Sequence, residues 1–289
     1  MIAYAFLAPF LVLFCTFVLA PAIYGLWLSL FDWNPLFPNK PFVGLENYVA
    51  LFTPGTLRAD DFWSSMAATG TFMLASVPFL IVVPMAIALL LNRRFRGATA
   101  FRTIYFAPYV LGVGVIGVMW TFLLDPNLGP VNAFLGSIGL PGNIPWTEDV
   151  PWVWVTLVGV TVWWIMGFNA VILLAALKGV PTELYDAASV DGANAWRKFI
   201  NVTLPGIRPV MIFVTTITIL STANMFGQSY LITAGGPANQ TRTVIMYIAD
   251  LGLSQSQMGA ASAMSYIVFA FLAIISVINF RLQRERPSR

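Results

Sequence analysis

Six long apolar stretches constrain this 289-residue chain more than any other feature of its sequence. We predict membrane-spanning helices at residues 4–30, 66–91, 103–124, 152–177, 208–231 and 259–280. Each stretch holds the roughly 20 mostly apolar residues that a helix needs to cross a bilayer. Charged residues make up only 9% of the sequence, whereas soluble domains carry about 25%. The chain is therefore predicted to be an all-α polytopic membrane protein.

Basic residues are concentrated in alternate connections between these spans. Residues 92–102, residues 178–208 and the tail after residue 280 hold four Lys or Arg each, which together make 12 of the 15 in the chain. These residues are Arg93, Arg94, Arg96, Arg102, Lys178, Arg197, Lys198, Arg208, Arg281, Arg284, Arg286 and Arg289. The remaining connections hold three basic residues and most of the acidic ones. The positive-inside rule then predicts that both termini and residues 181–205 are cytoplasmic.

The connections on the opposite side are too short to form a catalytic domain. The longest are residues 31–65 and 125–151. The second of these is punctuated by Gly and Pro, which predicts a short interfacial helix between turns. Residues 1–289 are therefore predicted to form a single membrane domain.

The residue composition excludes several kinds of chemistry. The chain has no histidine and one cysteine, Cys15, inside an apolar stretch. A disulfide framework, the usual Cys/His zinc sites and a Ser-His-Asp or Cys-His catalytic group are therefore ruled out. No metal site, catalytic residue or nucleic-acid partner is predicted. The spans are expected to contact membrane lipid.

A polar segment, PTELYDAASVDGANAWRKFINVTLP, occupies residues 181–205 between two apolar spans. Thr182 is predicted to cap a helix over residues 183–190. Its acidic residues Glu183 and Asp186 would lie in the first turn, where the helix dipole favours negative charge.

The second half of this segment predicts another short helix at an angle to the first. Asp191-Gly192 is a stop signal, because glycine accepts left-handed backbone geometry. Asn194 is predicted to cap a helix over residues 195–201, and Pro205 to close the segment before the next span. These features favour a rigid structure. On the residues alone, an ordinary interfacial linker with its aromatic rings among lipid headgroups remains an alternative.

The spacing within the segment resembles a cytoplasmic motif of permease subunits in binding-protein-dependent ABC importers. That motif is Glu-Ala-Ala, three residues, Gly, nine residues and Ile-x-Leu-Pro. The matching residues are Asp186, Ala187, Ala188, Gly192, Val202, Thr203, Leu204 and Pro205. Asp replaces Glu at 186 and Val replaces Ile at 202. FVGLENY at 42–48, FRTIYFAPYV at 101–110 and LITAGGPANQT at 231–241 are similar to segments of the sugar subgroup related to maltose and glycerol-3-phosphate permeases.

This resemblance implies a type I ABC importer permease fold with six transmembrane helices, in a bacterial cytoplasmic membrane. It implies that loop 181–205 couples the spans to a separate ATPase. The implied coupling residues are Glu183, Asp186, Ala187, Ala188, Asp191, Gly192, Trp196, Leu204 and Pro205. The chain lacks the phosphate-binding pattern G-x-x-x-x-G-K-[ST], so no cofactor is predicted to bind here and ATP with Mg²⁺ would belong to the partner. The implied partners are a second, different but homologous permease, two ATPase subunits and an extracytoplasmic solute-binding protein.

Polar and aromatic residues inside the spans are candidates for a sugar path. They are Tyr109, Trp163, Trp164, Asn169, Thr222, Asn224, Met225 and Gln228. Polar groups in a bilayer are costly unless they line a cavity or pair with each other. Pairing between helices is therefore the alternative for each of them. No basic residue is predicted in the path, which favours a neutral sugar over a phosphorylated one.

Three other classes of protein fit the sequence less well than an ABC importer permease. An ion-coupled secondary sugar transporter usually needs ionisable residues at mid-membrane, and no acidic residue falls at the centre of a predicted span. An intramembrane enzyme lacks a plausible catalytic group. A structural scaffold is disfavoured only by the polar cluster in the fifth span.

Overall fold

The computed structural model describes residues 2–93 and 97–283. Some of the basic residues used for the orientation lie outside the described residues: Arg94, Arg96, Arg284, Arg286 and Arg289. Within the described ranges every regular element is helical, and the pairing of Phe31 with Phe42 is an isolated bridge.

The helices follow one another with short connections. In chain order they are α1 (Ile2–Phe14), α2 (Ala20–Leu28), α3 (Glu46–Val49), α4 (Leu57–Asn92), α5 (Ala98–Val110), α6 (Val113–Leu123), α7 (Pro130–Ser137), α8 (Trp152–Lys178), α9 (Thr182–Val190), α10 (Ala195–Lys198), α11 (Leu204–Ala223), α12 (Val244–Ala249) and α13 (Met258–Gln283). Turns of π-helix at Cys15–Leu19 and Phe199–Thr203 join α1 to α2 and α10 to α11. The interfacial helix predicted within 125–151 is confirmed as α7.

Five helices in the described residues are long and apolar enough to cross a membrane. They are Phe6–Leu28, Leu57–Asn92, Trp152–Lys178, Ala195–Ala223 and Met258–Arg281. A sixth span is present if α5 and α6 count as one, and these two helices are bent by 98° at a short break. The predicted polytopic all-α class is confirmed. The sidedness of the termini and the single-domain organisation stay predictions.

Two predicted spans are not continuous helices with the expected limits. The span at 103–124 is interrupted because Leu111 and Gly112 are extended, with ψ angles of 136° and 149°. The span at 208–231 starts earlier and ends at Ala223. A further π-helical turn, Ser229–Thr233, follows after a break.

The chain divides into two compact units. The first contains the described parts of 1–66 and 244–271. Inside it, residues 6–24 are exposed along almost their whole length, whereas the connection to α3 is well anchored. The Asn47 side-chain amide donates to the carbonyl oxygens of Ser29 and Phe31 at 2.9 and 3.0 Å, and the Arg58 guanidinium donates to the Gln257 side chain at 2.8 Å.

The second unit contains the described parts of 67–243 and 272–289 and holds the larger core. Its apolar centre joins α4, α8 and α11 through fully buried residues such as Ala88, Leu173 and Val214. Helices α5 and α8 approach most closely at Gly167, where a Cβ atom would lie 2.9 Å from the Phe106 Cα and even closer to the Tyr105 carbonyl oxygen. This close approach fixes α5, and with it the end of α5 that carries Tyr109.

Leucine at position 167 is therefore expected to destabilise the second unit. A side chain there meets the α5 backbone, and such overpacking costs about 1–3 kcal/mol. Thermal unfolding of the purified protein should show a lower midpoint for Gly167→Leu. Gly159→Leu on the same helix is the matched control, since nothing lies within 4 Å of its Cβ position. Equal midpoints for the two variants would contradict this packing.

Candidate functional site

The segment at 181–205 forms two helices, as predicted, but with different ends. Helix α9 already includes Thr182, and Pro181 occupies the N-cap position without a side-chain hydrogen bond. The prediction that Thr182 caps this helix was therefore wrong. Pro181 is extended, with φ −58° and ψ 134°, and its ring fixes the φ angle from which the chain enters the first turn.

Helix α9 ends in a left-handed turn at Gly192, as predicted. Gly192 has a φ of +73°. The Gly192 amide donates to the Ser189 carbonyl at 3.1 Å, and the Ala193 amide donates to the Ala188 carbonyl at 2.9 Å. These two bonds form a Schellman motif. The turn therefore satisfies the last carbonyls of α9 and sets the direction in which the chain leaves it.

The second helix begins at Asn194, and its predicted cap is confirmed. The Asn194 side-chain oxygen accepts a hydrogen bond from the Arg197 amide at 2.9 Å. The predicted end of this helix before Pro205 is wrong, because α10 continues through Phe199–Thr203 into α11. Pro205 lies in the first turn of α11, directly after the π-helical turn Phe199–Thr203. The second half of the segment is therefore the beginning of a membrane span.

Contacts between the two halves hold α9 against the start of this span. The Lys198 ammonium donates to the Ser189 hydroxyl at 2.6 Å, and the Tyr185 and Thr203 hydroxyls are hydrogen-bonded at 3.0 Å. The rest of α9 projects outward, and none of its residues is buried. The fractional exposure of Val190 is 89% and that of Trp196 is 66%.

The predicted coupling residues lie on α9, on the turn after it, and on the helix formed by α10 and α11. Ala188 and Leu204 are half-buried, and the others are exposed: Glu183, Asp186, Ala187, Asp191, Gly192, Trp196 and Pro205. Their contact with an ATPase stays a prediction.

A cavity of about 500 Å³ lies within the second unit, where two interrupted helices meet. One wall is the bend between α5 and α6, another is the break after α11, and α4 and α8 complete it. The lining residues are Phe72, Tyr109, Val113, Thr161, Trp164, Ile165, Ser221, Thr222, Asn224, Met225, Phe226, Gly227 and Gln228. Broken helices at membrane depth are tolerated where they line a cavity and commonly form the substrate sites of transporters.

Six of the eight predicted path residues line this cavity, and two do not. The six are Tyr109, Trp164, Thr222, Asn224, Met225 and Gln228. Asn169 is buried between helices instead, and its side-chain amide donates to the Leu80 carbonyl at 2.9 Å and to the Thr218 hydroxyl at 3.2 Å. Trp163 lies on an apolar groove outside the cavity, against the ring of Trp120. The structure thus gives these two residues packing contacts.

Polar atoms without a protein partner are present in the cavity wall. Thr161, which is 1% exposed, has a hydroxyl with no hydrogen-bond partner among the described residues. Gln228 is 7% exposed, and no hydrogen bond joins its side-chain amide to another part of the described chain. A buried polar group left unpaired costs about 1–3 kcal/mol. Both residues line the cavity.

Thr161 is absent from the candidates predicted from sequence. It lies three residues before Trp164, so the two share one face of α8. That spacing was the available signal, although a single threonine in an apolar span is usually part of the helix packing.

The cavity combines aromatic faces with neutral polar groups. Phe72, Tyr109, Trp164 and Phe226 contribute rings, and no lining residue carries a charge. The Tyr109 ring is stacked on Phe168 with their centroids 4.8 Å apart. Such an arrangement suits an uncharged ligand that has both apolar faces and hydroxyl groups.

Contacts across the helix breaks hold these rings in place. The Trp164 indole donates to the Leu111 carbonyl, at the α5–α6 bend, over 3.1 Å. The Asn224 side-chain amide donates to the Leu220 carbonyl at 2.8 Å, which leaves its side-chain oxygen available. The Trp164 ring is therefore held at the α5–α6 bend, and the Asn224 side chain folds back on the last turn of α11.

A buried hydroxyl network supports the cavity from behind. The Thr243 hydroxyl donates to the Met225 carbonyl at 2.7 Å. Nearby, the Thr233 and Thr241 hydroxyls are 2.7 Å apart, and Thr241 donates to the Gly236 carbonyl at 2.6 Å. The LITAGGPANQT segment is thus held in a compact turn, and Thr243, which follows it, is bonded to the turn that carries Met225.

Comparison with known proteins agrees with this architecture. Residues 49–285 match the family described as binding-protein-dependent transport system inner membrane component. The chain is 32% identical over 283 residues to the probable starch degradation products transport system permease protein AmyD of Thermoanaerobacterium thermosulfurigenes, with 97% of this chain and 93% of that protein covered. It is 31% identical over 286 residues to the lactose transport system permease protein LacF of Rhizobium radiobacter, with 97% and 93% covered.

A solved structure has the same fold. It is the crystal structure of a bacterial alginate ABC transporter in complex with an alginate pentasaccharide-bound periplasmic protein. The TM-score is 0.82 at 24% sequence identity, and the match covers 98% of this chain and 94% of that one.

A bundle of apolar helices, with two spans broken around a neutral cavity, is the architecture expected of a membrane transport protein. The chain belongs to the family of inner membrane components of binding-protein-dependent transport systems. It is a multi-pass permease subunit of an ABC importer in the inner membrane, and it is a transport protein, not an enzyme.

Proposed function

We propose that this permease imports a neutral sugar or a related polyol through the 500 Å³ cavity beside the α11 break. The observation that supports this most is that aromatic rings line the cavity together with the Gln228 amide and the Thr161 hydroxyl, which has no hydrogen-bond partner among the described residues. Sugars present hydroxyl groups at their edges and apolar faces between them, which such a lining can bind. The names of the relatives, a starch-product permease and a lactose permease, favour the same substrate class.

Partners of this permease follow from the same proposal. We place a second, different but homologous permease beside it and two ATPase subunits at the α9 surface, with ATP and Mg²⁺ bound only by those ATPases. An extracytoplasmic solute-binding protein would deliver the sugar, as the periplasmic protein seen with the alginate transporter suggests. ATP binding then shifts the population between inward-open and outward-open arrangements.

Uptake of labelled sugar into proteoliposomes that hold the complete transporter tests this function. We expect Asn224→Ala and Thr161→Val to lower uptake about 5- to 30-fold each, since losing one or two kcal/mol of binding changes an equilibrium by that factor. Complex assembly should not change. Thr71→Val, on the exposed surface of α4 away from the cavity, is the matched control. Full uptake by both cavity variants would remove this cavity from the path.

A further inference from the structure

A second large depression lies in the second unit, separate from the cavity described above. It is a groove of about 960 Å³ between α4, the end of α8, Tyr185 of α9, and the joined helices α10 and α11. It opens on the side of the chain that carries the basic connections. The proposed sugar path does not pass through it, although two of its lining residues, Trp196 and Leu204, are also predicted coupling residues.

Most of the length of the groove is apolar. Its walls run along α4 from Ile81 to Asn92, which is about 16 Å at 1.5 Å per helical residue. Met85 and Met211 are among the side chains along this length. Half of a hydrocarbon core of roughly 30 Å is about 15 Å. The apolar part of the groove therefore has the length of one membrane leaflet.

The other end of the groove is basic and lies just beyond the predicted span at 66–91. Arg93 follows the last residue of α4, and Lys198 ends α10. No acidic residue lines the groove. The Lys198 ammonium donates to a neutral hydroxyl, that of Ser189, and neither cation forms an ion pair with any carboxylate in residues 2–93 and 97–283. Trp196 lines the same end, as aromatic residues often do at headgroup level.

We propose that this groove binds one anionic phospholipid. An acyl chain lies along α4 towards Ile81, and the phosphate group lies between Arg93 and Lys198. Phosphate oxygens accept charge-assisted hydrogen bonds from both cations. The glycerol part of the lipid then lies near the Trp196 ring.

Other occupants fit this combination less well. An apolar helix of a partner subunit would cover Arg93 and Lys198 without supplying an anion, and burying unpaired charge is costly. Free phosphate would satisfy the cations but would leave the apolar length of the groove in contact with water. A zwitterionic lipid would bring a positive choline group towards two positive side chains.

Native mass spectrometry of the complete, detergent-purified transporter, titrated with dioleoylphosphatidylglycerol, tests the basic end. We expect one retained lipid for this subunit, and Lys198→Gln or Arg93→Gln should each raise the apparent Kd about fivefold. Arg197→Gln is the matched control, because this exposed neighbour carries the same charge but does not line the groove. An equal loss in Arg197→Gln would mean that general surface charge holds the lipid, and would overturn the proposal.

Two further comparisons test the apolar end. Ala86→Phe places a ring in the groove from an exposed position and should displace the lipid, whereas Leu90→Phe, outside the groove on the same helix, should not. Dioleoylphosphatidylcholine should bind more weakly, and glycerophosphoglycerol, which has no acyl chains, should not compete. Normal lipid binding by Ala86→Phe would refute the assignment. So would dioleoylphosphatidylcholine that binds as tightly as dioleoylphosphatidylglycerol, or glycerophosphoglycerol that competes with it. So would a complete transporter that retains no phosphatidylglycerol at all.

Discussion

Gly192→Val is expected to lower sugar-stimulated ATP hydrolysis by the assembled transporter about 5- to 30-fold. Gly192 has a φ of +73°, and a left-handed conformation costs an L-residue about 1–2 kcal/mol. One or two kcal/mol corresponds to a factor of 5–30 in a population. In the wild-type turn, the Ala193 amide is bonded to the Ala188 carbonyl. Valine would shift the chain away from this turn, so the exposed face of α9 would less often be aligned with the start of α11.

Two control variants separate this effect from general destabilisation. Gly192→Asn should keep most of the stimulated hydrolysis, since asparagine accepts left-handed geometry more readily than other residues with a Cβ. Gly55→Val introduces comparable strain, at a φ of +78°, into an exposed turn with nothing within 4 Å, and should leave hydrolysis unchanged. Stimulated hydrolysis and ATPase co-purification would both be measured. Wild-type values for Gly192→Val in both assays would exclude a coupling role for this turn.

The number and approximate positions of the spans could be predicted because the bilayer requires each spanning helix to be about 20 residues long and mostly apolar. The predicted span 152–177 has the same first residue as α8 and ends one residue before it. Hydropathy does not detect where the backbone departs from a helix inside an apolar stretch. Residues on both sides of Ala223 are apolar enough for a span, yet the helix ends there. The sequence signals for this break are Asn224 and Gly227, and neither is decisive in a membrane segment.

In the 181–205 segment, the capping residues predicted the start of the second helix correctly but not the start of the first. Asn194 caps as expected because its amide oxygen reaches the Arg197 amide. Thr182 does not, because Pro181 precedes it and the helix begins one residue earlier than expected. The continuity of α10 with α11 depends on a π-helical turn, Phe199–Thr203, for which the residues alone give no clear indication.

Which side chains reach the cavity depends on helix rotation, which sequence does not fix. Trp163 and Trp164 are adjacent, so they lie about 100° apart around a helix with 3.6 residues per turn. Only Trp164 faces the cavity. Asn169 is farther along α8, and its side-chain amide donates to the Leu80 carbonyl of α4. Pairing between helices was the alternative to a role in the sugar path for each of these residues.

Gln228→Leu is expected to reduce sugar uptake by about tenfold or more while leaving assembly and basal ATP hydrolysis intact. Gln228 is 7% exposed and lines the cavity, and its amide has no hydrogen-bond partner among the described residues. Leucine has a similar volume but cannot bind a hydroxyl, and a lost hydrogen bond to a buried group costs about 1–3 kcal/mol. The uptake assay in proteoliposomes would report this loss as a higher half-saturating sugar concentration.

The matched control for this variant is Gln240→Leu, which removes the same amide from an exposed position outside the cavity. Uptake by Gln240→Leu should equal that of the wild type. A purely structural role for Gln228 predicts a different result, in which Gln228→Leu lowers the yield or the unfolding midpoint of the complex and leaves half-saturation unchanged. Because leucine suits an apolar bundle, we expect the unfolding midpoint to stay level or rise. A weaker affinity for sugar combined with an undiminished midpoint would therefore identify Gln228 as a ligand-binding residue of the path.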